Sequence, residues 1–369
     1  MGAYIIRRLL LMTPTLIGIM VINFAIVQFA PGGPVEQLVA QMTGSDVGAT
    51  SRIGGAEGET AGAMEGMGGA AATAVSEYRG AQGLDPEFIK DLEKQFGFDR
   101  PLHERFLLMM GNFIRFDFGH SYFRDESVVD LVISKMPVSI SLGLWTTLIV
   151  YFVSIPLGIR KAVHDGSAFD VWTSAVVVVG YAIPGFLFAI ILIVLFAGGS
   201  FLDWFPLRGL TSEDWEFMSW PERILDYFWH LVLPITALVI HGFATLTFLT
   251  KNSFLDQIHM LYVSTARAKG LTEARVLYGH VFRNAMIIVI SGFPSAFIHI
   301  LFTGALLIEV IFSLDGLGLL GFEAVVKRDY PIMFATLYFF TLLGLALHLI
   351  ADLVYTIVDP RIDFEARNG

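Results

Sequence analysis

The chain has 369 residues, of which 55% are hydrophobic and 16% charged, whereas about 25% of the residues of a soluble domain are charged. So much apolar surface cannot be hidden in one core, and the composition indicates a protein that lies in a bilayer. The formal net charge of −10 argues against nucleic-acid binding, and the absence of cysteine excludes disulfides and thiolate or cysteine-based metal sites.

Six apolar runs approach the roughly 20 residues that a helix needs to cross the hydrocarbon core of a bilayer. They cover residues 9–30, 138–159, 172–197, 229–250, 285–312 and 332–358. The first run is longer than the core of a typical signal peptide, and Pro31 follows "QFA", so we interpret it as a retained anchor. No segment alternates with a period of two. The predicted fold is therefore all-α, a polytopic membrane protein with six transmembrane helices.

Basic residues predict the orientation, because short cytoplasmic loops carry an excess of Lys and Arg. Most of the basic residues that flank the predicted spans fall on one side, namely Arg7, Arg8, Arg160, Lys161, Lys251, Arg267, Lys269, Arg275, Arg283, Arg361 and Arg367. The short loops on the other side carry only Arg208, Arg223, Lys327 and Arg328. Both termini are therefore predicted to be cytoplasmic.

Residues 31–137 form a large predicted region on the outer side, between the first and second spans. Residues 44–74 are rich in Gly, Ala and Met and lack aromatic side chains, which predicts a flexible insert. Residues 85–116 are predicted to be helical, with Asp85 as an N-cap, Gly97 in a left-handed turn and a second helix from Pro101. These amphipathic helices either pack on each other and on the spans or contact a soluble binding protein.

The stretch "YVSTARAKGLTEARVLYGHVFRNA", from Tyr262 to Ala285, is basic and amphipathic, and it predicts two helices that are broken at Gly270. Small residues dominate its first half and suit close contact with another backbone, whereas Thr272 is a candidate N-cap for the second half. The apolar face of the second helix is predicted at Ala274, Leu277, Val281 and Ala285. A solvated loop that obeys the positive-inside rule would explain the charges, but not the small residues or the break. We therefore interpret residues 251–284 as a loop that docks on another protein.

Polar residues recur every four positions along the fifth span, at Ser291, Ser295, His299 and Thr303. This stripe either lines a translocation pathway or forms hydrogen bonds between helices. His241 in the fourth span is a further candidate for the pathway. His348 and Asp352 are expected to form a buried structural pair, and Glu309 is expected at the membrane interface. Prolines within the spans, Pro184 among them, are candidate bends.

Several segments resemble the dipeptide and oligopeptide group of binding-protein-dependent ABC importer permeases, in the same order along the chain. "STARAKG" followed by "HVFRNA" is similar to the EAA loop of that family, with Ser264 and Thr265 where Glu and Ala are usual. "RRLLLMTPTL", "FGFDRPLHERF", "FDFGHSYF" and "FSLDGLGLLGFEAVVKRDYPI" match other segments, with Asp315 where Pro is common. The insert with "APGGPVEQ" before it resembles the Yej branch, associated with oligopeptides and the peptide-nucleotide antibiotic microcin C.

The resemblance implies a non-catalytic permease of the bacterial inner membrane that imports peptides from the periplasm. Residues 1–30 would hold the cytoplasmic N-terminus and first span, residues 31–137 would be periplasmic, and residues 138–369 would form a five-helix core. The ATPase-coupling loop would use Tyr262, Ser264, Thr265, Ala266, Arg267, Lys269, Gly270 and Arg275.

The partners implied by the resemblance are a second permease in a heterodimer, an ATPase of two subunits or one fused chain, and a periplasmic binding protein. ATP and magnesium would sit on the ATPase, because this chain has no Walker loop, and no cofactor or metal is expected on the chain itself. The alternatives are an importer permease for a different small substrate or a stand-alone secondary transporter. A secondary transporter would commonly show inverted repeats, and none is visible.

Overall fold

The computed structural model describes residues 2–29, 97–198, 201–299 and 306–358, together with residues 33–35, 38, 90 and 94. In chain order its helices are α1 (Gly2–Phe29), α2 (Leu102–Ile114), α3 (Val128–Val163), α4 (Ala168–Ala182), α5 (Gly185–Phe196), α6 (Trp220–Ile258), α7 (Leu261–Ala268), α8 (Glu273–Val276), α9 (Phe282–His299), α10 (Leu306–Ile311), α11 (Leu317–Lys327) and α12 (Tyr330–Val358). Extended pairing within the described ranges is limited to one isolated bridge between His120 and Ser127. The prediction of an all-α chain is confirmed.

Among the described residues, five helical segments are long and apolar enough to cross a membrane, and they are Tyr4–Phe29, Val128–Val163, Trp220–Ile258, Glu273–Phe293 and Tyr330–Val354. The number becomes six if the bent pair α4–α5 counts as one span. The helices extend beyond several of the predicted apolar runs, because backbone hydrogen bonds continue into polar sequence. Helix α6, for example, starts at Trp220 rather than near residue 229. At this start the Glu222 carboxylate accepts a hydrogen bond from the Ser219 N–H at 2.9 Å, which caps the helix.

The third predicted span, residues 172–197, is not one straight helix. Helices α4 and α5 meet at an angle of 92°. Proline at position 184 has no N–H to donate and disfavours helical backbone in the residue before it, and Ile183 is accordingly extended, with φ −83° and ψ 121°. The expectation that Pro184 marks a bend is therefore confirmed, and the third predicted span is broken there into two helices.

One compact unit comprises Met1–Thr13, Lys135–Leu319 and Phe340–Gly369. Its apolar core runs without interruption from the long helices into the short helices that follow α6. Buried side chains that contribute to this core include Leu142 of α3, Leu192 of α5, Phe254 of α6, Val263 of α7, Val276 of α8 and Val289 of α9. The short helices are thus packed on the long ones through a shared core rather than joined to them by loose loops.

The second compact unit comprises Pro14–Ser134 and Leu320–Phe339. Gly97 has φ +71°, as predicted, and α2 begins directly after Pro101. The buried ring of Phe113 lies 4.8 Å from the ring of Phe118 and 5.4 Å from that of Tyr338, measured between centroids. Within this unit α2 therefore buries Met110 and Phe113, whereas Leu107, Leu108 and Ile114 are exposed. Burial also raises the pKa of the Tyr122 phenol to about 12.

The predicted helix from Asp85 lies outside the described residues, except for Lys90 and Lys94, which are helical. The predicted flexible insert, residues 44–74, also lies outside them.

Glu309 is fully enclosed, with 0% of its surface exposed, rather than placed at an interface as expected. Its Oε2 accepts a hydrogen bond from the Leu319 N–H at 2.7 Å, and its Oε1 accepts one from the Ser139 hydroxyl at 3.2 Å. The Ser139 Oγ in turn accepts a hydrogen bond from the Leu317 N–H at 2.8 Å. The carboxylate and the hydroxyl therefore satisfy N–H groups that the first turn of α11 leaves without helical partners.

Glycine is required where the chain passes this carboxylate. A Cβ at Gly316 would overlap the Glu309 carboxylate, and one at Gly318 would lie 3.0 Å from Oε2. Gly321, one turn further along α11, has nothing within 4 Å of such a Cβ.

We expect Gly316→Ala to lower the free energy of unfolding by about 1–3 kcal/mol, because the methyl group overpacks the enclosed carboxylate. The matched control, Gly321→Ala, adds the same methyl group in open space within a helix and should raise stability by roughly 0.5–1 kcal/mol. Thermal unfolding in detergent measures both variants. Equal unfolding midpoints for the two variants would show that Gly316 is not held against Glu309.

Candidate functional site

Helix α7 ends where the sequence predicts a break. Gly270 has φ +79°, in the left-handed region that strains residues with a Cβ, and its N–H donates to the Arg267 carbonyl at 2.9 Å. Thr272 takes the N-cap position of α8, although its side chain makes no capping hydrogen bond. The predicted pair of helices broken at Gly270 is therefore present.

Only part of the small-residue run of α7 packs against the rest of the chain. Val263 and Ala266 are buried and face the core. Ser264, Thr265 and Ala268 are exposed. Because only Ala266 of these small residues is covered by the chain itself, the other three remain available to a second protein.

A π-helical turn, Leu277–Val281, joins α8 to α9 and changes which residues face inward. The extra residue in such a turn shifts the register of the helix. Val276 and Val281, five positions apart, are both buried, and Ala285 follows on the same face. The predicted apolar face was therefore correct for Val281 and Ala285 but wrong for Ala274, which is exposed.

Polar contacts hold this region together. The Arg267 guanidinium donates to both carboxylate oxygens of Glu273, at 2.9 Å and 3.1 Å, and so bridges the break at Gly270. The Tyr262 hydroxyl donates to the Gln257 Oε1 at 2.9 Å, and the Ser253 hydroxyl donates to the Ala285 carbonyl at 2.6 Å. These contacts tie α7 and α9 to the end of α6.

The outward side of the pair combines apolar and basic side chains. Leu261 is 86% exposed, and Met260 and Tyr278 are exposed as well. Lys269, Arg275 and Arg283 are also exposed, as expected for basic residues that project away from the core. We call this surface, defined by the exposed side chains of residues 260–283, from the N-cap of α7 to the first turn of α9, the docking surface.

Two lysines share one carboxylate near the ends of α3 and α6 and the start of α4. The Lys161 ammonium lies 3.0 Å from the Asp170 Oδ1, and the Lys251 ammonium lies 2.7 Å from its Oδ2. Lys161 also donates to Thr173 and Ser174 and is 0% exposed. Sequence analysis counted both lysines among the basic residues on one side of the membrane. It gave no way to identify Asp170 as the buried partner of Lys161.

We expect Asp170→Ala to destabilise the protein by about 3–5 kcal/mol, because it leaves Lys161 buried without a counter-charge. A double variant, Lys161→Met with Asp170→Leu, replaces the charges by apolar groups and should recover most of that loss. Thermal unfolding of the two variants in the same detergent tests this. If the double variant is no more stable than Asp170→Ala, the unpaired charge is not the cause of the loss.

The structure describes the side chains of only some of the predicted pathway residues. Ser291 is buried, and its hydroxyl donates to the Ile288 carbonyl of its own helix at 2.8 Å. The backbone of Ser295 and His299 is helical, and Thr303 lies outside the described residues. The polar stripe therefore stays a prediction.

The expected buried pair of His348 with Asp352 is wrong, because His348 is exposed and Asp352 accepts hydrogen bonds from Arg8 and Tyr4.

His241 lines a cavity of about 860 Å³ in the same unit. The cavity lies between α3, the α4–α5 bend, α6, α9 and α10. Its polar lining includes Thr146 and Thr147 of α3 and Thr245 of α6. Sequence analysis missed the two α3 threonines, although "WTTLIV" is a polar interruption in the middle of an apolar run and would have been a signal.

A family model described as a binding-protein-dependent transport system inner membrane component matches residues 154–364, which is more than half of the chain. The chain belongs to this family. As an inner membrane component of such a system, it is a transport protein that operates with separate subunits. The resemblance drawn from its motifs is confirmed.

Curated relatives match this inner membrane component over its whole length. It is 63% identical to the peptidoglycan transport system permease protein YejB of Agrobacterium fabrum and 59% identical to the inner membrane ABC transporter permease protein YejB of Escherichia coli O157:H7, with 100% of each chain covered. It is 33% identical to the oligopeptide transport system permease protein AppB of Bacillus subtilis, over 99% of this chain and 100% of that one. A solved MetNI methionine ABC transporter aligns with a TM-score of 0.47 at 14% identity, covering 63% of this chain and 97% of that chain.

Proposed function

We propose that the chain is the transmembrane permease subunit of an ATP-driven ABC importer that takes up oligopeptides or peptide-like compounds, including compounds of the microcin C type. The names of the relatives support peptide import, since AppB is an oligopeptide permease by name. The name of the relative at 63% identity favours a second candidate, substrates derived from peptidoglycan. Oligopeptides and peptidoglycan fragments both contain short peptide chains.

The docking surface is the observation that carries the proposal. Its apolar side chains are exposed on short helices and surrounded by basic residues. These short helices are packed on the long helices. Such a surface indicates that another protein covers it. We propose that this partner is the ATPase, because the chain has no phosphate-binding loop of its own.

The energy available at this surface is sufficient for coupling. Driving a two-state equilibrium from 1:99 to 99:1 takes about 5.5 kcal/mol of differential binding. Full burial of one large apolar side chain contributes about 1.5–3 kcal/mol. If Leu261, Met260 and Tyr278 are buried by the ATPase in one of its states and exposed in the other, the difference would therefore supply the required free energy. The exposed pair of Arg267 and Glu273 would not, since surface ion pairs contribute about 0–1 kcal/mol.

Helix α6 connects the docking surface to the cavity, so a movement of the docking surface would reach the membrane through this helix. It is continuous for 39 residues and has His241 at the cavity and Gln257 at the docking surface. These positions are roughly 24 Å apart along the helix, at about 1.5 Å per residue. A displacement of α7 would therefore be transmitted to the cavity as movement of one rigid helix.

The complete transporter in this proposal contains a second permease, two ATPase subunits or one fused ATPase chain, and a periplasmic binding protein. ATP and magnesium bind the ATPase. Both termini and the docking surface are cytoplasmic, and residues 31–137 are periplasmic. His241 and the polar stripe of the fifth span, Ser291, Ser295, His299 and Thr303, line the pathway.

We expect Leu261→Glu to weaken association of the ATPase by about 10- to 100-fold, because it removes one apolar side chain from the interface. Phe217→Glu is the matched control, since Phe217 is 91% exposed but lies in a loop predicted to be periplasmic. Co-purification of the ATPase and substrate-stimulated ATP hydrolysis measure the effect. Unchanged coupling in Leu261→Glu would contradict the docking role.

A bulky residue at Gly270, such as Leu, should also uncouple hydrolysis from import, because it cannot adopt φ +79° without strain. Membrane insertion should be unaffected.

Uptake by the assembled complex tests the substrate. Import of oligopeptides supports the main proposal, and import of peptidoglycan fragments alone supports the second candidate. The proposal is wrong if neither substrate is imported.

A further inference from the structure

The bend between α4 and α5 places a helix N-terminus at the wall of the cavity. Helix α5 has 12 residues and begins at Gly185, and both Gly185 and Phe186 line the cavity. The N-cap residue is Pro184, so no side chain caps the first N–H groups of the helix. Helix N-termini carry a partial positive charge and bind anionic groups, and broken helices of this kind hold substrate carboxylates in other transporter folds.

Unpartnered polar groups are a second and independent observation. Thr146 and Thr147 are each 1% exposed, and within the described part of the chain neither hydroxyl has a hydrogen-bond partner. The His241 Nδ1 is buried and equally lacks a partner among the described residues. All three groups line the cavity. Buried polar groups are nearly always satisfied, and leaving one unpaired costs about 1–3 kcal/mol, so these groups indicate a ligand.

The rest of the lining defines which ligand fits. The remaining walls are mainly apolar, with Val150, Leu238, Leu246 and Leu307 among them, and no Asp, Glu, Lys or Arg belongs to the described lining. The volume of about 860 Å³ is within the range of roughly 300–1,000 Å³ that is typical of small-ligand pockets. Such a cavity suits an apolar group that has a negative or strongly polar end.

We propose that this cavity is a substrate subsite for the C-terminal residue of a peptide. The carboxylate accepts hydrogen bonds from the N-terminus of α5 and from the Thr146 and Thr147 hydroxyls, and the apolar side chain fills the space between α3 and α6. This inference rests on the proposed function and adds to it. It assigns part of the substrate selectivity to this chain rather than to the binding protein alone.

The test compares a tripeptide that has a C-terminal Phe, Ala-Ala-Phe, with its C-terminal amide. Uptake of both is measured in vesicles that contain the complete transporter and one fixed binding protein. Because the binding protein is the same throughout, any change in the acid-to-amide ratio of kcat/KM between permease variants arises in the permease. The test variant is Thr146→Val with Thr147→Val, which keeps the shape and removes both hydroxyls.

The control is Thr247→Val with Thr250→Val. These threonines are also fully buried and also lack hydrogen-bond partners among the described residues, but they do not line the cavity. We expect the test variant to reduce the acid-to-amide ratio by about tenfold or more, since hydrogen bonds to a charged group are lost. The control should leave the ratio unchanged. Unfolding midpoints of the two variants show whether stability contributes.

A second variant keeps the inference testable if the threonine variant does not assemble. Thr245 is exposed at the cavity lining, so Thr245→Phe fills the space without disturbing the core. It should abolish uptake of the acid, whereas Thr236→Phe, at an exposed position of α6 outside the lining, should not.

The outcomes separate the two proposals. If the wild-type transporter imports the peptide but neither the threonine variant nor Thr245→Phe changes uptake or the ratio, the subsite is wrong and the proposed function stands. Equal loss in the test and control threonine variants would also overturn the subsite, because it would show a general effect of buried hydroxyls. If the wild-type transporter imports neither peptides nor peptidoglycan fragments, the proposed function fails as well.

Discussion

The carboxylate of Asp170 is shared by two lysines from different helices, and the proposed coupling through α6 depends on this contact. Lys161 comes from α3 and Lys251 from α6, whereas Asp170 lies in the first turn of α4. Because Lys161 and Asp170 are buried and costly to leave unpaired, the ends of α3 and α4 stay paired, and Lys251 ties α6 to the same carboxylate. Helix α6 is therefore tied to α4 at Lys251, seven residues before it ends at Ile258.

This fixed end makes the short helices beyond α6 part of a rigid body rather than a flexible loop. The shared core continues through Val263 and Ala266 of α7, so force on the docking surface acts on packed side chains. The cavity lies on the same continuous helix α6. The proposed substrate subsite and the proposed ATPase contact are thus joined by one helix.

The sequence predicted those features that depend on local signals. Long apolar runs predicted the membrane spans. The conformational freedom of glycine predicted the left-handed turns at Gly97 and Gly270. The features that it did not predict depend on partners distant in the chain. Lys161 resembles any cytoplasmic lysine until α4 folds beside it, and the enclosure of Glu309 requires Ser139, 170 positions away. The π turn shifted the inward face from Ala274 to Val276, because a periodicity of 3.6 does not anticipate an extra residue.

The most direct test of coupling uses the absence of natural cysteine in the chain. A single Leu261→Cys variant in the assembled transporter is treated with a cysteine-reactive photo-crosslinker, and intact cells are treated with a membrane-impermeant maleimide. The account predicts a crosslink to the ATPase, whose yield changes when ATP is added, and no labelling from outside the cell. Labelling from the outside, or a crosslink to no other polypeptide, would contradict it.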